Sequence, residues 1–405
     1  MNMKRIIALA LALALLALCG CGRAKAQPEP TEAPAAEPTE APAAEPTEAP
    51  EAEPTPDPEE LYKATMARMD RAWKSVEPDT VVCTIDGEAV TWDTYFYLLS
   101  DELMTMLYYT GTLPESFDQQ LTEDKTMEQY LRDMALAKAE YYTLAHTRAA
   151  AAGVTLSQEK EQELADYWTD LTEQYGGEDA LQESLEGNFL TRDVFERLLR
   201  CSEELGAMVE ELYGVNGGKL TPEEVLAWAA EDEYIRVKHV LYFFYDDAGL
   251  PLDEDGKAGQ LARAEATLEE LKALLDDPEA LEARFDEIMN ADSGDAGGLS
   301  RFPEGYTFTS GTMYPEFEEA AFALEEYGLS DIIESQSGYH IILRLPLDPD
   351  GVTMDQDSNT GDYLTLRASA AADMFGKQMA EWIKAAQVEW AEGYEDLDLD
   401  VLFAE

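Results

Sequence analysis

The chain has 405 residues and a formal net charge of −57 at pH 7, from 85 acidic and 28 basic residues. This excess of negative charge argues against a nucleic-acid-binding protein, because a basic patch is needed to neutralise phosphates. About 345 residues follow an N-terminal region of low complexity, which is enough for two or three domains with apolar cores.

The N-terminus has the features of a secretion signal. Two basic residues precede an apolar run over residues 6–18, which is shorter than the roughly 20 residues of a membrane-spanning helix. The sequence Leu-Cys-Gly-Cys that ends this region resembles a bacterial lipobox with Cys21 as the lipid acceptor. We therefore expect residues 1–20 to be a lipoprotein signal peptide, with the mature protein lipid-anchored on the extracytoplasmic face of the cell membrane. The alternative is an ordinary secretion signal with incidental cysteines.

Residues 21–60 form a repetitive segment. The unit Glu-Pro-Thr-Glu-Ala-Pro-Ala-Ala begins at Glu29, recurs from Glu37 and recurs again with one change from Glu45. It contains no large apolar residue, so the segment cannot bury enough surface to offset the entropy of ordering. Proline favours extended polyproline II structure, and like charges repel one another. The segment is predicted to be a disordered tether.

Residues 61–231 are predicted to form a mainly helical lobe. The run Val81–Ile85 is typical of a strand and precedes the tight-turn signal Asp86-Gly87. At Thr221, a capping residue is followed by proline and then by glutamate at the third position, which predicts a helix start. Amphipathic patterns predict the other helices over residues 60–76, 91–109, 126–152, 157–176 and 191–213.

Residues 232–348 have a different pattern and are predicted to form an α+β domain. The run Tyr234–Tyr245 is rich in β-branched and aromatic residues, which is typical of a strand. The other elements expected in this domain are helices over 259–275, 278–290 and 315–324, a glycine-rich loop over 293–311, and strands near 332–333 and 339–345.

Residues 349–405 are predicted to return to the helical lobe. A helix over residues 363–386 carries four apolar residues on one face: Phe375, Met379, Trp382 and Ile383. This face needs a partner surface. If the possible strand 388–390 pairs beside Val81–Ile85, the domain 232–348 is an insertion into a discontinuous lobe. The alternative is that the helix packs only on that domain.

Cysteine and histidine are both rare in the folded part of the chain. Cys83 and Cys201 could form a disulfide in an oxidising compartment or be separate buried apolar residues. Neither has metal-ligand spacing, so we expect no metal site and no cofactor. His146 lies in a predicted helix, where a structural role is expected. His239 and His340 lie on the first and last strands of the domain 232–348, which makes them candidates for a shared site.

The sequence around these two histidines resembles the parvulin family of peptidyl-prolyl isomerases. Val-Lys-His-Val-Leu at 237–241 is similar to the family's opening strand, and Ser-Gly-Tyr-His-Ile-Ile at 337–342 to its closing strand. Between them, residues 308–313 and 316–322 are similar to its Phe-x-x-Gly-x-Met and Glu-Phe-Glu-x-Ala-Ala-Phe motifs. The resemblance covers residues 234–347 and implies an enzyme that isomerises X-Pro bonds.

The resemblance also implies a set of polar catalytic residues. His239 and His340 match the paired active-site histidines of the family. Ser335 and Ser337 match hydroxyl-bearing positions shortly before the second histidine. Ser293-Gly-Asp295 is similar to a Ser-x-Asp motif of the family, and Asp295 thereby matches a position that holds an acidic residue or a cysteine. The alternative for this position is Asp292.

The implied substrate pocket is apolar. Met313 and Phe317 match residues that hold the proline ring. The family's Gly-Gly-Asp-Leu-Gly loop is altered here, because residues 304–308 replace the segment that carries another pocket residue. Tyr306 is expected to take that place as a substrate-binding residue. This alteration leaves a second hypothesis open, a binding-only chaperone with a catalytically degenerate domain.

The helical region resembles the chaperone lobe of the SurA/PrsA type. The expected fold class is therefore α+β: a helical SurA/PrsA-like lobe with an inserted parvulin-type β-α-β domain, preceded by a disordered tether. The implied partners are unfolded or partly folded exported polypeptides with X-Pro bonds. A solute-binding lipoprotein is a third hypothesis, which is disfavoured because the sequence lacks an alternating strand-helix pattern.

Overall fold

A computed structural model describes residues 58–110, 113–114, 116–246, 248–357 and 360–404. The predicted signal peptide, the acceptor Cys21 and nearly all of the predicted tether lie outside these residues. The described chain forms two compact units. The first comprises residues 58–208 and 377–404, and the second comprises residues 209–376. No helix in the described ranges is long and apolar enough to cross a membrane.

The first unit is mainly helical, as predicted. Its helices are α1 (Pro58–Trp73), α2 (Trp92–Thr110), α3 (Met127–Ala151), α4 (Gln158–Tyr175), α5 (Glu178–Glu186) and α6 (Arg192–Tyr213), whose last residues enter the second unit. Thr126 begins α3 with a capping box completed by Gln129, which satisfies backbone N–H groups that have no partner within the helix. Gly176 ends α4 in the left-handed conformation, with φ of 87°.

A three-stranded antiparallel sheet joins the two chain segments of the first unit. Strand β1 (Val81–Ile85) lies between β2 (Glu88–Thr91) and the C-terminal strand β9 (Val388–Trp390). Cys83 is opposite Trp390 in this register. The strand pairing suggested by the sequence is therefore present.

The core of the first unit is aromatic. The ring of Phe403 at the C-terminus lies 5.6 Å from that of Phe117 and 6.2 Å from that of Phe96, and all three side chains are fully buried. Cys83 and Cys201 are both buried, and no disulfide bond joins them. Burial raises the pKa of the Cys83 thiol to about 11, and nearby Glu140 adds to this effect.

The second unit contains a four-stranded antiparallel sheet in the order β4-β3-β6-β5. Its elements are α7 (Pro222–Glu231), β3 (Ile235–Phe243), α8 (Glu254–Lys272), α9 (Pro278–Asp292), α10 (Ala296–Arg301), β4 (Tyr306–Phe308), α11 (Pro315–Phe322), β5 (Ile333–Glu334), β6 (Gly338–Leu345), β7 (Val352–Gln356), β8 (Tyr363–Thr365) and α12 (Leu366–Ala385), which continues into the first unit. A final short helix, α13 (Leu399–Leu402), belongs to the first unit.

Both faces of this sheet are covered, which explains why β3 is buried along almost its whole length. Val240 and Tyr242 pack with α8 and α9 on one face, whereas Ile235 and Val237 pack with α11 on the other. Lys238 is buried on the face of α9, where carboxylates of that helix lie 2.7 and 3.0 Å from its ammonium nitrogen. A buried ammonium group needs opposite charges nearby to offset the free-energy cost of removing it from water.

The structure differs from the sequence predictions at several elements. The expected loop over 293–311 contains α10 and β4, and the expected helix over 363–386 begins as β8. Helix α5 and the β7-β8 hairpin were not predicted. Gly177 precedes α5 and makes no side-chain cap, so the sequence lacks the usual start signal there.

The second unit also extends beyond the expected domain 232–348 at both ends. The reason is a small core between α7 and the first half of α12, where Trp228 and Tyr234 pack against Leu366 and Ala370. The indole nitrogen of Trp228 donates to the Asp373 carboxylate at 2.7 Å. Within residues 349–405, therefore, only residues 377–404 belong to the first unit.

Candidate active site

The two strand histidines meet on one face of the sheet. In the antiparallel register, His239 on β3 is opposite Ile342, and His340 on β6 is opposite Leu241. Because side chains alternate along strands, both imidazoles point to the face covered by α11. Their Nδ1 atoms are 3.1 Å apart, and both side chains are buried. Gly338 lets β6 approach β3 closely beside these histidines, because a Cβ atom at this position would overlap the carbonyl oxygen of Tyr242.

A carboxylate and a hydroxyl extend this pair into a four-residue chain. His239 Nε2 lies 2.9 Å from Asp295 Oδ2, and His340 Nε2 lies 2.7 Å from Ser335 Oγ. Asp295 is the N-cap of α10 and accepts from the backbone N–H of Gly298 at 3.1 Å. The four side chains therefore form one continuous hydrogen-bonded network.

The charges of these groups indicate which atom donates in each hydrogen bond of the network. Burial and the neighbouring His239 lower the pKa of His340 to about 3, so His340 is neutral near pH 7. Burial alone would raise the pKa of Asp295, but hydrogen bonds from His239 and Tyr306 outweigh it and lower that pKa. An ionised Asp295 only accepts, so His239 Nε2–H donates to it. In the tautomer of His239 that carries its proton on Nε2 alone, Nδ1 accepts from His340 Nδ1–H, and the Ser335 hydroxyl donates to His340 Nε2.

An apolar wall lies beside the imidazoles. The ring of Phe317 on α11 stands edge-on to His239 at 5.3 Å and to His340 at 5.4 Å between ring centroids. Met313 is partly buried and packs against the apolar cluster that contains Phe317. The Glu318 carboxylate accepts from the backbone N–H of Met313 at 2.8 Å, which holds the segment before α11 in place.

Most of the predicted site residues come together, and two of them make contacts that the sequence did not predict. Ser337 enters the network through its backbone N–H, which donates to Ser335 Oγ at 3.1 Å. Tyr306 is buried in the expected region, but its hydroxyl donates to Asp295 Oδ2. The alternative Asp292 instead pairs with Arg263 at 3.3 Å, where both side chains are about half exposed.

One contributor was not assigned a role from the sequence. Ser293 Oγ accepts from the backbone N–H groups of Leu241 on β3 and Asp295, at 3.1 and 3.3 Å. It therefore ties the Asp295 loop to the strand that carries His239. The sequence signal was present, because Ser293 is the serine of the Ser-x-Asp motif used to select Asp295.

This arrangement combines a small apolar surface with a rigid polar network. Such a site can hold an apolar ring and stabilise a change of charge distribution in an attached amide. Ser335 is buried and its oxygen already accepts a backbone N–H, so it is poorly placed to attack a substrate. Within the described ranges, no group of three or more His, Cys, Asp or Glu residues is arranged to hold a metal ion.

Comparisons with known proteins identify similar sequences and structures. The Rotamase family, described as a PPIC-type PPIASE domain, matches residues 252–345. The peptidyl-prolyl cis-trans isomerase Pin1 of Arabidopsis thaliana is 36% identical over 92 residues, which are 23% of this chain and 76% of that protein. The foldase protein PrsA of Staphylococcus aureus (strain bovine RF122 / ET3-1) is 29% identical over 173 residues, which are 42% of this chain.

The match to PrsA is partial. This chain spans about half the length of that foldase, 48%. Among solved structures, PrsA from Bacillus subtilis aligns over 67% of this chain and 91% of its own, with 19% identity and a TM-score of 0.24. The family match begins after β3, so it includes His340 and Asp295 but not His239.

Proposed function

Because the chain belongs to the PPIC-type family of peptidyl-prolyl cis-trans isomerases, residues 252–345 are part of an isomerase domain, and we propose that the whole protein is an extracytoplasmic foldase. In this proposal it isomerises X-Pro bonds of unfolded or partly folded exported polypeptides and also holds such chains as a chaperone. The observation that carries the proposal is the network of Asp295, His239, His340 and Ser335 beside Phe317.

The proposed mechanism needs no covalent intermediate. Amide resonance gives a rotation barrier of about 18–20 kcal/mol, and the transition state is a twisted amide whose C–N bond resembles a single bond. Phe317 and Met313 are proposed to hold the proline ring, which keeps water from the twisting bond. The hydrogen-bonded histidines supply fixed dipoles beside the amide, and fixed dipoles need no reorganisation as the charge redistributes.

A second candidate function is a chaperone that binds clients without isomerising them. It is favoured by the hydroxyl of Tyr306, a polar group at a position where the family has an apolar pocket residue. The same structure supports an isomerase, because the four-residue network and Phe317 are in contact. The two functions differ in a measurable activity.

A protease-coupled proline assay distinguishes them. We expect a chain beginning at residue 22 to accelerate cis-trans exchange of an Ala-Ala-Pro-Phe peptide in proportion to enzyme concentration. The control is suppression of aggregation of an unfolding client, measured on the same preparation. Client protection without faster exchange would support the binding-only chaperone and contradict the proposed isomerase.

The proposed location depends on Cys21. We expect mass spectrometry of the mature protein from a bacterial host to find a diacylglyceryl group on an N-terminal Cys21, because this cysteine follows a small residue in the lipobox-like motif. Cys21→Ser should abolish the modification, whereas the matched change Cys19→Ser should retain it. An unmodified N-terminus, or one at another residue, would contradict lipid anchoring.

A further inference from the structure

We propose that Tyr306 is a positioning residue that holds Asp295, and through it His239, in the hydrogen-bonded state described above, and that Gly298 makes room for this contact. The inference rests on the proposed isomerase function and deepens it. It replaces the expectation that Tyr306 lines the substrate pocket, because the hydroxyl group is used within the network.

The position of Tyr306 follows from the sheet. Tyr306 on β4 is opposite Val237 on β3, two residues before His239 on the same face. Its ring lies 5.4 Å from that of His239 and 5.1 Å from that of Phe302, and the residue is 8% exposed. The strand pairing therefore holds the ring against the first histidine.

The hydroxyl of Tyr306 completes the coordination of Asp295. It donates to Oδ2, the same oxygen that accepts from His239 Nε2, while Oδ1 accepts from the backbone N–H of Gly298. Three donors thus fix both oxygens of one partly buried carboxylate. A carboxylate fixed in this way keeps His239 Nε2 protonated and leaves Nδ1 to accept from His340.

Gly298 is required for space. A Cβ atom at this position would overlap the Tyr306 hydroxyl and the Asp295 carboxylate. Its φ is outside the left-handed region, so alanine is compatible with the backbone there. The preceding Gly297 belongs to the same helix, and a Cβ atom there would meet nothing within 4 Å. The two glycines therefore provide a test and its matched control.

The charged groups around Asp295 predict how the pH dependence of kcat changes when the contact between Tyr306 and Asp295 is lost. The titratable groups that face Asp295 are His239 on β3 and Tyr306 on β4, with His340 acting through His239 and Arg301 near Tyr306. Burial favours the neutral form of Asp295, and the hydrogen bonds oppose it. Without the tyrosine hydroxyl, the pKa of Asp295 rises, so Asp295 becomes protonated at a higher pH.

The first test is Tyr306→Phe, which keeps the ring and removes the hydroxyl. We expect kcat for a proline tetrapeptide to fall about 10-fold at pH 7, with KM changed less than about 2-fold, because a hydrogen bond to a charged group is lost. The acidic limb of the kcat profile should move to higher pH. A pocket-lining role predicts instead that this variant keeps the wild-type kcat and pH profile, and that result would overturn the proposal.

The second test compares Gly298→Ala with Gly297→Ala. We expect the former to reproduce the loss of kcat and the shifted acidic limb of Tyr306→Phe, and the latter to match the wild type. Combining Gly298→Ala with Tyr306→Phe should add little, because both remove the same contact. Equal activity of the two alanine variants would contradict the role of Gly298. If Gly298→Ala fails to fold, Tyr306→Phe still decides the role of the tyrosine.

A spectroscopic measurement separates this inference from the proposed function. Only three histidines are present, so ¹⁵N-labelled imidazole signals are assignable with His146→Ala and His340→Ala variants. We expect neutral His239 to carry its proton on Nε2 at pH 7 in the wild type and to exchange between tautomers in Tyr306→Phe. An inactive wild type with this signature would reject the isomerase but support the contact. An identical tautomer in both proteins would overturn the positioning role.

Discussion

His340→Ala and Asp295→Asn should each lower isomerase turnover about 10²-fold, the usual size of a lost polar or electrostatic contribution in an active site. His340→Ala breaks the network at its centre, because Nδ1 contacts His239 and Nε2 contacts Ser335. Asp295→Asn keeps the size of the side chain and removes the charge that orients His239. Turnover is measured with the protease-coupled assay, and circular dichroism checks that the fold is retained.

The matched control for these variants is His146→Ala. His146 lies in the first unit, where its Nδ1 is 2.8 Å from Glu204 Oε2, and it does not belong to the four-residue network. It should therefore leave turnover unchanged. If His340→Ala and Asp295→Asn both retain wild-type turnover in natively folded protein, the four-residue network is not the active site. If only one of them is impaired, the network does not act as a unit.

The positions of the site residues were predictable to the extent that local sequence determines them. His239 and His340 were identified because they lie on strands, and strand alternation then fixes the face to which each side chain points. Asp295 was preferred to Asp292 from its place in the Ser-x-Asp motif. In the structure Ser293 ties the loop to β3, and Asp295 contacts His239, while the catalytic role of Asp295 stays a prediction.

The hydrogen bond of Tyr306 could not be predicted, because it depends on a tertiary approach. The family resemblance implied that residue 306 occupies an apolar pocket position, and Tyr306 is buried in the structure. Whether its hydroxyl reaches Asp295 depends on how β4 pairs with β3 and on the missing Cβ of Gly298. Similarly, Ser335 and Ser337 both match hydroxyl-bearing positions in the sequence. The turn before β6 decides which of the two hydroxyl groups reaches His340.

The folds of the two units were predictable to different degrees. The capping signal at Thr221 and the helical pattern from residue 126 gave helix starts that the structure contains. The ends of the second unit were not predictable, because they depend on Trp228 packing against α12, more than a hundred residues later in the chain. Long-range packing of this kind leaves no local pattern in the sequence.

Phe403→Ala should destabilise the first unit by about 3–5 kcal/mol, the usual cost of removing a fully buried phenylalanine side chain. Phe403 packs against Phe96 and Phe117, and no part of it is exposed. For a unit of about 180 residues, this corresponds to a melting temperature lower by roughly 6–20 °C. Scanning calorimetry and circular dichroism measure the transition, and the proline assay at 25 °C should remain near the wild-type rate, because the isomerase site lies in the second unit.

The matched control is Val401→Ala in α13, because Val401 is 71% exposed and lies two residues from Phe403. It should leave the melting temperature within about 1–2 °C of the wild type. A chain ending at residue 386 extends the test, because it removes β9 from its pairing with β1 and also removes the Asp400 carboxylate that accepts from Ser116 at 2.7 Å. This truncated chain should lose the transition of the first unit and its protection of an unfolding client, yet retain proline isomerisation. If Phe403→Ala and the truncation both melt like Val401→Ala, the C-terminal residues are not part of the first unit's core, and the discontinuous arrangement is wrong.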